Sequence, residues 1–249
     1  RGLGDVYKRQ TLDGFRKALN AKTKLIVCMH ASNVWGIRLP IERISAMGKE
    51  YGIPILVDAA QTAGILPIDV QDSRIDYLCA AGHKGLYGPM GTGLLITPNG
   101  DKLSTIIEGG TGTSSISLIQ PGTMPDRMES GTPNMPGIAG LRAGIEYVSK
   151  IKPETIAKHE QRLMLRLYDK LSSIKKVKLF MPRPEFPAFV PLLSFNIADM
   201  PSEETAAQLN QHQIFVRAGI HCAPEAHKFA GTLETGAVRV CPSVFSKEQ

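Results

Sequence analysis

The hydrophobic pattern divides the chain into short apolar runs separated by polar turns and amphipathic stretches. Lys24 to Met29 reads as a buried strand that ends at the polar string His30-Ala31-Ser32-Asn33. Pro40 stands where a helix would begin, Ile41, Ile44, Met47 and Tyr51 follow at roughly helical spacing, and Gly52 is a stop. Ile53 to Val57 is a second apolar run and ends at Asp58; Ile75 to Ala80 is a third, ending just before Gly82-His83-Lys84; Gly93 to Ile96 is a fourth. Short apolar runs alternating with a helix predict an α/β fold with a mainly parallel sheet, here over residues 11–150. Residues 100–135 are rich in Gly, Thr, Ser and Pro, and a loop of that length is functional or disordered. Helices are predicted from Pro136 to Lys150 and from Pro153, the second with Ile156, His159, Leu163, Leu167 and Leu171 on one stripe. Strands at Val177–Phe180, Leu192–Ile197 and Ile214–Arg217, and a helix with Ser202 as its N-cap, predict a smaller α+β domain over residues 151–249.

Composition narrows the class. The chain has 249 residues, 43% hydrophobic and 21% charged, which is an ordinary globular composition with enough length for a sizeable core. No stretch approaches the ~18 consecutive apolar residues of a membrane span, and no apolar leader opens the chain, so a cytoplasmic protein is expected. The net charge of +6 comes from scattered residues, with no basic run interleaved with aromatics, which argues against nucleic acid as a partner. Residues 1–10, with Arg1, Lys8 and Arg9 against Asp5, resemble a translated sequencing adapter and are set aside from the fold. The cysteines are Cys28, Cys79, Cys222 and Cys241, with no Cys-x-x-Cys pair, and they read as reduced thiols and not as metal ligands. Cys28 and Cys79 lie inside apolar runs and read as small buried hydrophobes.

Candidate chemistry sits at the ends of the apolar runs. Ligands of a parallel α/β sheet bind beyond the carboxyl ends of its strands, where Asn33, Asp58 and Lys84 fall. A carboxylate and an amine converging there suit a cofactor with a basic ring nitrogen and an aldehyde, pyridoxal phosphate: the acid holds the ring proton and the lysine makes the Schiff base. Gln61 and Asn33 are placed to reach the cofactor's phenolic oxygen, although each alone reads more readily as a loop cap. Gly82 and Gly85 let the backbone turn sharply around His83 and Lys84, and His83 is placed to donate to a phosphate. In Arg217-Ala218-Gly219-Ile220-His221-Cys222 the cysteine follows a glycine turn beside a histidine, a pattern for an exposed and reactive thiol. Arg239, between Val238 and Val240, needs a carboxylate or phosphate partner, or a structural ion pair. Glu129 to Asn134 closes the long loop before a helix, where backbone amides and the Thr132 hydroxyl make a weak phosphate-site pattern.

Taken together, these segments resemble the class V aminotransferase family, and within it the cysteine desulfurases. The strings that carry the resemblance are His30 to Asn33, Val57 to Gln61, Gly82 to Gly93, Glu129 to Asn134 and Arg217 to Pro224, and it extends over residues 11–249. It implies fold type I of the pyridoxal-phosphate-dependent transferases and a homodimer. Lys84 then bonds the cofactor and moves protons, Asp58 pairs with the ring nitrogen, Gln61 and Asn33 contact the phenolic oxygen and His83 contacts the phosphate. Thr132 reaches the phosphate in the other subunit, Arg239, with Asn33 and Arg217, binds the substrate carboxylate, and Cys222, beside His221, is the nucleophile. The implied reaction converts L-cysteine to L-alanine, leaves a persulfide on Cys222 and passes the sulfur to an acceptor protein for iron–sulfur cluster assembly.

The chain departs from that pattern in three ways. Ala81 stands where the family often has Ser or Thr. The first third of the family fold, with its Gly-Thr phosphate turn and ring-stacking residue, has no counterpart. The chain stops at Ser246 to Gln249, where the family continues into a helix. Weak or absent cofactor binding by these 249 residues is therefore expected. The alternatives are a selenocysteine lyase, an aminotransferase or epimerase on another amino acid, and, from another class, a non-catalytic binding protein that kept the fold.

Overall fold

A computed structural model of the chain describes residues 3–113, 116–198 and 200–248, without the side chains of residues 3–9. Its first half is built on a four-stranded sheet of β1 (Ile26–Met29), β2 (Ile55–Asp58), β3 (Tyr77–Ala81) and β4 (Gly93–Ile96), in that spatial order. β1, β2 and β3 are parallel and β4 is antiparallel to β3. β2 is buried because its β-branched residues meet the sheet's helix-covered face, where Ile55 and Val57 are inaccessible and join Ile26, Cys28, Ile41, Ile44 and Ile75. Each such side chain contributes roughly 2 kcal/mol by leaving water. Helices α1 (Leu3–Ala18) and α2 (Ile41–Glu50) cover that face, with Leu12, Phe15 and Leu19 packed against the core. The opposite face is open: Val27 is 63% and Met29 48% exposed.

The second half begins with α3 (Met135–Ile151) and α4 (Pro153–Ser172), two helices separated by Lys152. Lys152 has φ +77° and precedes Pro153, so the first helix cannot continue through it. The Asn134 side chain caps α3 by accepting the Gly137 N–H at 3.1 Å. A three-stranded antiparallel sheet follows, β5 (Val177–Leu179), β6 (Leu193–Ile197) and β7 (Val238–Val240), with α5 (Ser202–Gln211) and α6 (Pro224–Ala230) inserted between β6 and β7. The buried Ser194 hydroxyl donates to the Val34 carbonyl and fastens this sheet to the turn beyond β1.

Four expectations need correction or refinement. The apolar run Ile214–Arg217 is not a strand: only Arg217 pairs, with Arg239, and Phe215 is 81% exposed. With a β7 of only three residues, the run finds little backbone to pair with. Ser202 is the first helical residue and Pro201 holds the N-cap position. The Ser202 hydroxyl instead accepts the Gly219 N–H at 3.2 Å, tying α5 to the glycine turn before Cys222. The buried residues of α4 are Ile156, Ala157, Glu160 and Met164, while His159, Leu163, Leu167 and Leu171 of the expected stripe are half-buried and His159 bonds the Ser246 carbonyl. Finally, α1 starts at Leu3, inside the segment that was set aside.

Register brings the strand ends together. Asp58 lies opposite Met29 on one side and Cys79 on the other, so the three parallel strands leave the sheet at one edge. The turns that follow β2 and β3 then touch through backbone alone. A Cβ at Gly64 would lie 2.0 Å from the Gly85 carbonyl oxygen, and one at Gly85 would lie 2.4 Å from the Ala63 carbonyl oxygen. Gly64 also has φ +82°. Gly64→Ala and Gly85→Ala are each expected to cost about 2–4 kcal/mol of stability. Gly52→Ala, at φ +66° with open space around it, should cost only about 1 kcal/mol. Urea unfolding of the three variants checks this, and equal losses would contradict the close approach.

Candidate active site

Three turns at the carboxyl edge of the first sheet form one wall of the site. Beyond β1, His30 is buried and accepts a hydrogen bond from Arg38 Nε on Nε2 at 3.0 Å, leaving the proton on Nδ1 to be donated to Thr62 Oγ1 at 2.9 Å. Thr62 passes its own hydroxyl proton to the Ala59 carbonyl. Burial, and then the Arg38 charge, push the His30 pKa down to about 3, so the ring is a neutral, fixed spacer. It joins the end of β1 to the helical turn after β2. Asp58 is exposed at the end of β2, and its Oδ1 accepts the Ala60 N–H at 2.8 Å, which starts that turn and presents Gln61.

The turn after β3 carries His83 and Lys84, both exposed. Gly82 N–H bonds the Thr92 carbonyl, Gly88 N–H returns to the Gly82 carbonyl at 2.8 Å, and Tyr87 N–H bonds the Lys84 carbonyl at 2.9 Å, so the loop is closed on itself. Tyr87 is held at φ +54° by what its ring meets: Tyr147 of α3 and Phe245, each edge-on, at 5.8 and 5.6 Å between centroids.

The opposite wall comes from the second half. Arg217 and Arg239 exchange backbone hydrogen bonds at 3.2 and 2.7 Å, which sets their side chains near one another. Among the described residues neither guanidinium has a carboxylate partner, so a structural ion pair for Arg239 is excluded and two cations face the cavity uncompensated. Arg239 donates to the Asn33 carbonyl at 2.8 Å, and the Asn33 amide donates to the His221 carbonyl at 2.6 Å, which stitches the two walls together. His221 donates from Nε2 to the Ala237 carbonyl at 2.8 Å. Burial, followed by the nearby arginine and histidine charges, pushes its pKa down against that bond, so the ring is neutral at physiological pH. His221 and Cys222 hold φ +53° and +57°, a strained pair of about 1–3 kcal/mol each that projects the thiol into solvent.

Between the walls lies a cavity of about 620 Å³. The sequence candidates Asn33, Gln61, His83, Lys84, Arg217, His221, Cys222 and Arg239 all line it. Asp58 does not, although the adjacent Ala60 does, and Thr132 stands exposed on the long loop, away from the lining. Three lining residues were not anticipated: Tyr87, Cys241 and Glu160. Glu160 is 2% exposed, and burial pushes its carboxyl up to about 7 despite hydrogen bonds from the Tyr87 hydroxyl and the Val244 amide. Its signal was available in the sequence: an acid at i+4 from Ile156 and i−4 from Met164, in the apolar face of a helix.

The donor set fits pyridoxal phosphate. One primary amine lies on the cavity wall, one carboxylate stands at the neighbouring strand end, amide groups lie between them, and unpaired guanidinium groups face the amine from the other side. No group of three or more His, Cys, Asp or Glu among the described residues is arranged as a metal site, and no helix among them is long and apolar enough to cross a membrane.

Relatives share this fold. The chain is 35% identical over 207 residues to a probable cysteine desulfurase of Pyrococcus abyssi, covering 80% of this chain and 50% of the relative. It is 34% identical over 217 residues to a cysteine desulfurase of Escherichia coli, covering 85% and 52%. Among solved structures, the apo cysteine desulfurase of Thermococcus onnurineus superposes with a TM-score of 0.82 at 33% identity, over 90% of this chain and 56% of that one. The cysteine desulfurase CsdA of Escherichia coli, in its S-sulfonic acid form, does so with a TM-score of 0.84 at 25% identity, over 95% and 58%. The chain thus spans about half the length of the curated relatives it matches. The aminotransferase class-V family model matches residues 4–247, nearly the whole chain, and this protein is a member of that pyridoxal-phosphate-dependent family.

Proposed function

We propose that these residues are part of a pyridoxal-phosphate-dependent cysteine desulfurase, acting on L-cysteine and handing its sulfur to an acceptor protein. The observation that carries the reading is the placement of an exposed thiol, Cys222, on the same cavity as Lys84 and an arginine with no acidic partner, Arg239. A scaffold protein has no need to bring an amine, a thiol and an unpaired guanidinium together. An aminotransferase or epimerase has no need for the thiol. In this reading residues 11–150 are part of the cofactor-binding domain, residues 151–249 are the small domain, and the 249 residues alone hold the cofactor weakly.

Bound in the cavity, pyridoxal phosphate supplies an aldehyde and a ring that accepts electrons. Lys84 would hold the aldehyde, Asp58 would keep the ring nitrogen protonated, and Gln61, Asn33 and His83 would orient the ring and the phosphate. Arg239, with Arg217 beside it, takes the substrate carboxylate. Lys84 moves the proton at the substrate Cα. The Cys222 thiolate then attacks the substrate sulfur: an S–S bond forms, the C–S bond breaks and the electron pair stays with the carbon. A proton delivered by Lys84 completes alanine, and the persulfide remains on Cys222.

Support for a homodimer comes from the long loop. Ile106, Ile107, Leu118 and Ile119 are each more than 70% exposed there, a larger apolar display than a monomer ordinarily carries. Thr132 sits on that loop, outside its own cavity, and in this reading it serves the cavity of the second subunit. The four free thiols suit a reducing, cytoplasmic setting.

In the complete protein, Cys222→Ala is expected to lower alanine release from L-cysteine by on the order of a thousandfold and to abolish the persulfide. Mass spectrometry of the trapped protein reads the second outcome. Retained turnover would instead favour an aminotransferase or epimerase. Arg239→Leu is expected to raise KM for cysteine by about 10- to 100-fold, with partial recovery in Arg239→Lys. An unchanged KM in steady-state kinetics would remove Arg239 from substrate binding.

A further inference from the structure

Glu160 has no part in the chemistry above, yet it is the most deeply buried acid among the described residues. It lies in the middle of α4, where an apolar residue would pack without penalty, and a buried carboxyl is costly unless its bonds have a use. The Tyr87 hydroxyl and the Val244 amide lie beside its carboxyl. The Tyr87 hydroxyl itself accepts the Val244 N–H at 3.3 Å, so the three groups form one small network. The carboxyl oxygen Oε2 is buried without a hydrogen-bond partner among the described residues, and the residue lines the cavity that holds Lys84.

Tyr87 is the telling partner. Its amide bonds the Lys84 carbonyl, and its left-handed backbone conformation needs an outside hold. The stacked rings of Tyr147 and Phe245 supply the apolar part of that hold. Among the described residues, the polar grip on the Tyr87 side chain comes from α4 and from the segment after β7.

We propose that Glu160 is a positioning residue for Lys84: through the Tyr87 hydroxyl it fastens the Lys84 turn to α4 and to residues 242–246, and so sets the amine against the Cys222 and Arg239 wall. Burial keeps Glu160 neutral up to about pH 7, against the Tyr87 and Val244 donors, which favour its ionised form. The titratable groups that face it are Tyr87 from the turn after β3 and Cys241 from the segment after β7, with Tyr147 of α3 behind Tyr87. The folded carboxyl titrates above its ordinary value of 4.5, so its contribution to the tie is complete below that value and is lost as pH rises through about 7.

The inference rests on the reading of Lys84 as the reactive amine, and its test needs neither cofactor nor turnover. Hydrogen–deuterium exchange on the 249-residue chain is followed at residues 82–88 and 242–246. Glu160→Ala should speed exchange there about tenfold while β1, β2 and β3 stay protected, and Glu160→Gln should restore the slow exchange. After correction for intrinsic rates, wild-type exchange in these segments should rise between about pH 4.5 and 7 and level off above, and Glu160→Gln should remove that rise. Labelling of Lys84 by an amine reagent, measured against the exposed Lys228, should change in step. If Glu160→Ala does not fold, Tyr87→Phe deletes only the hydroxyl and should show the same faster exchange. Unchanged exchange in Glu160→Ala or Tyr87→Phe, failure of Gln to rescue, or Lys84 labelling indifferent to all three variants would overturn the proposal. Any of these results leaves the role of Lys84 itself to be decided by its own chemistry.

Discussion

The site depends on two backbones lying closer than any side chain allows. Gly64 and Gly85 meet where the turn after β2 passes the turn after β3, and a methyl group on either would strike a carbonyl oxygen. That contact brings the turn that bears Gln61 against the turn that bears Lys84. Parallel register supplies the rest of the constraint: Asp58 is flanked by Met29 and Cys79, so three strand ends, and the three turns that bear candidate residues, open at one edge. The buried relay from Arg38 through His30 to Thr62 then holds two of those turns in fixed relation.

Onto this edge the second half of the chain brings charge and a thiol. Its links are short and polar: Arg239 to the Asn33 carbonyl, the Asn33 amide to the His221 carbonyl, Ser194 to the Val34 carbonyl. Each contributes about 1 kcal/mol, more where the donor is charged. Together they fix where the unpaired guanidinium groups stand relative to Lys84. The proposed tie through Glu160 and Tyr87 comes from a different direction, with the carboxyl buried.

Much of this was legible before any coordinates. The first sheet could be read because its strands are short, apolar and bounded by turn residues, and the chemistry because Asp58, Lys84 and Cys222 each follow such a boundary. Local pattern failed where tertiary context decided. Ile214 to Arg217 has the composition of a strand but meets only a three-residue partner. Ser202 has the identity of a cap but is used by the Gly219 amide. On α4 the expected stripe ran through His159 and Leu163, whereas the buried residues are Ile156, Ala157, Glu160 and Met164. Thr132 shows the opposite case: its pattern was visible, but within one chain nothing brings it to the cavity.

The central claim is that Lys84 is the amine that holds the cofactor. Borohydride reduction of the complete protein loaded with pyridoxal phosphate, followed by peptide mapping, reads the bonded lysine directly. The account predicts a single pyridoxyl group on the peptide containing Lys84. A pyridoxyl group on another lysine, with Lys84 unmodified, would contradict it.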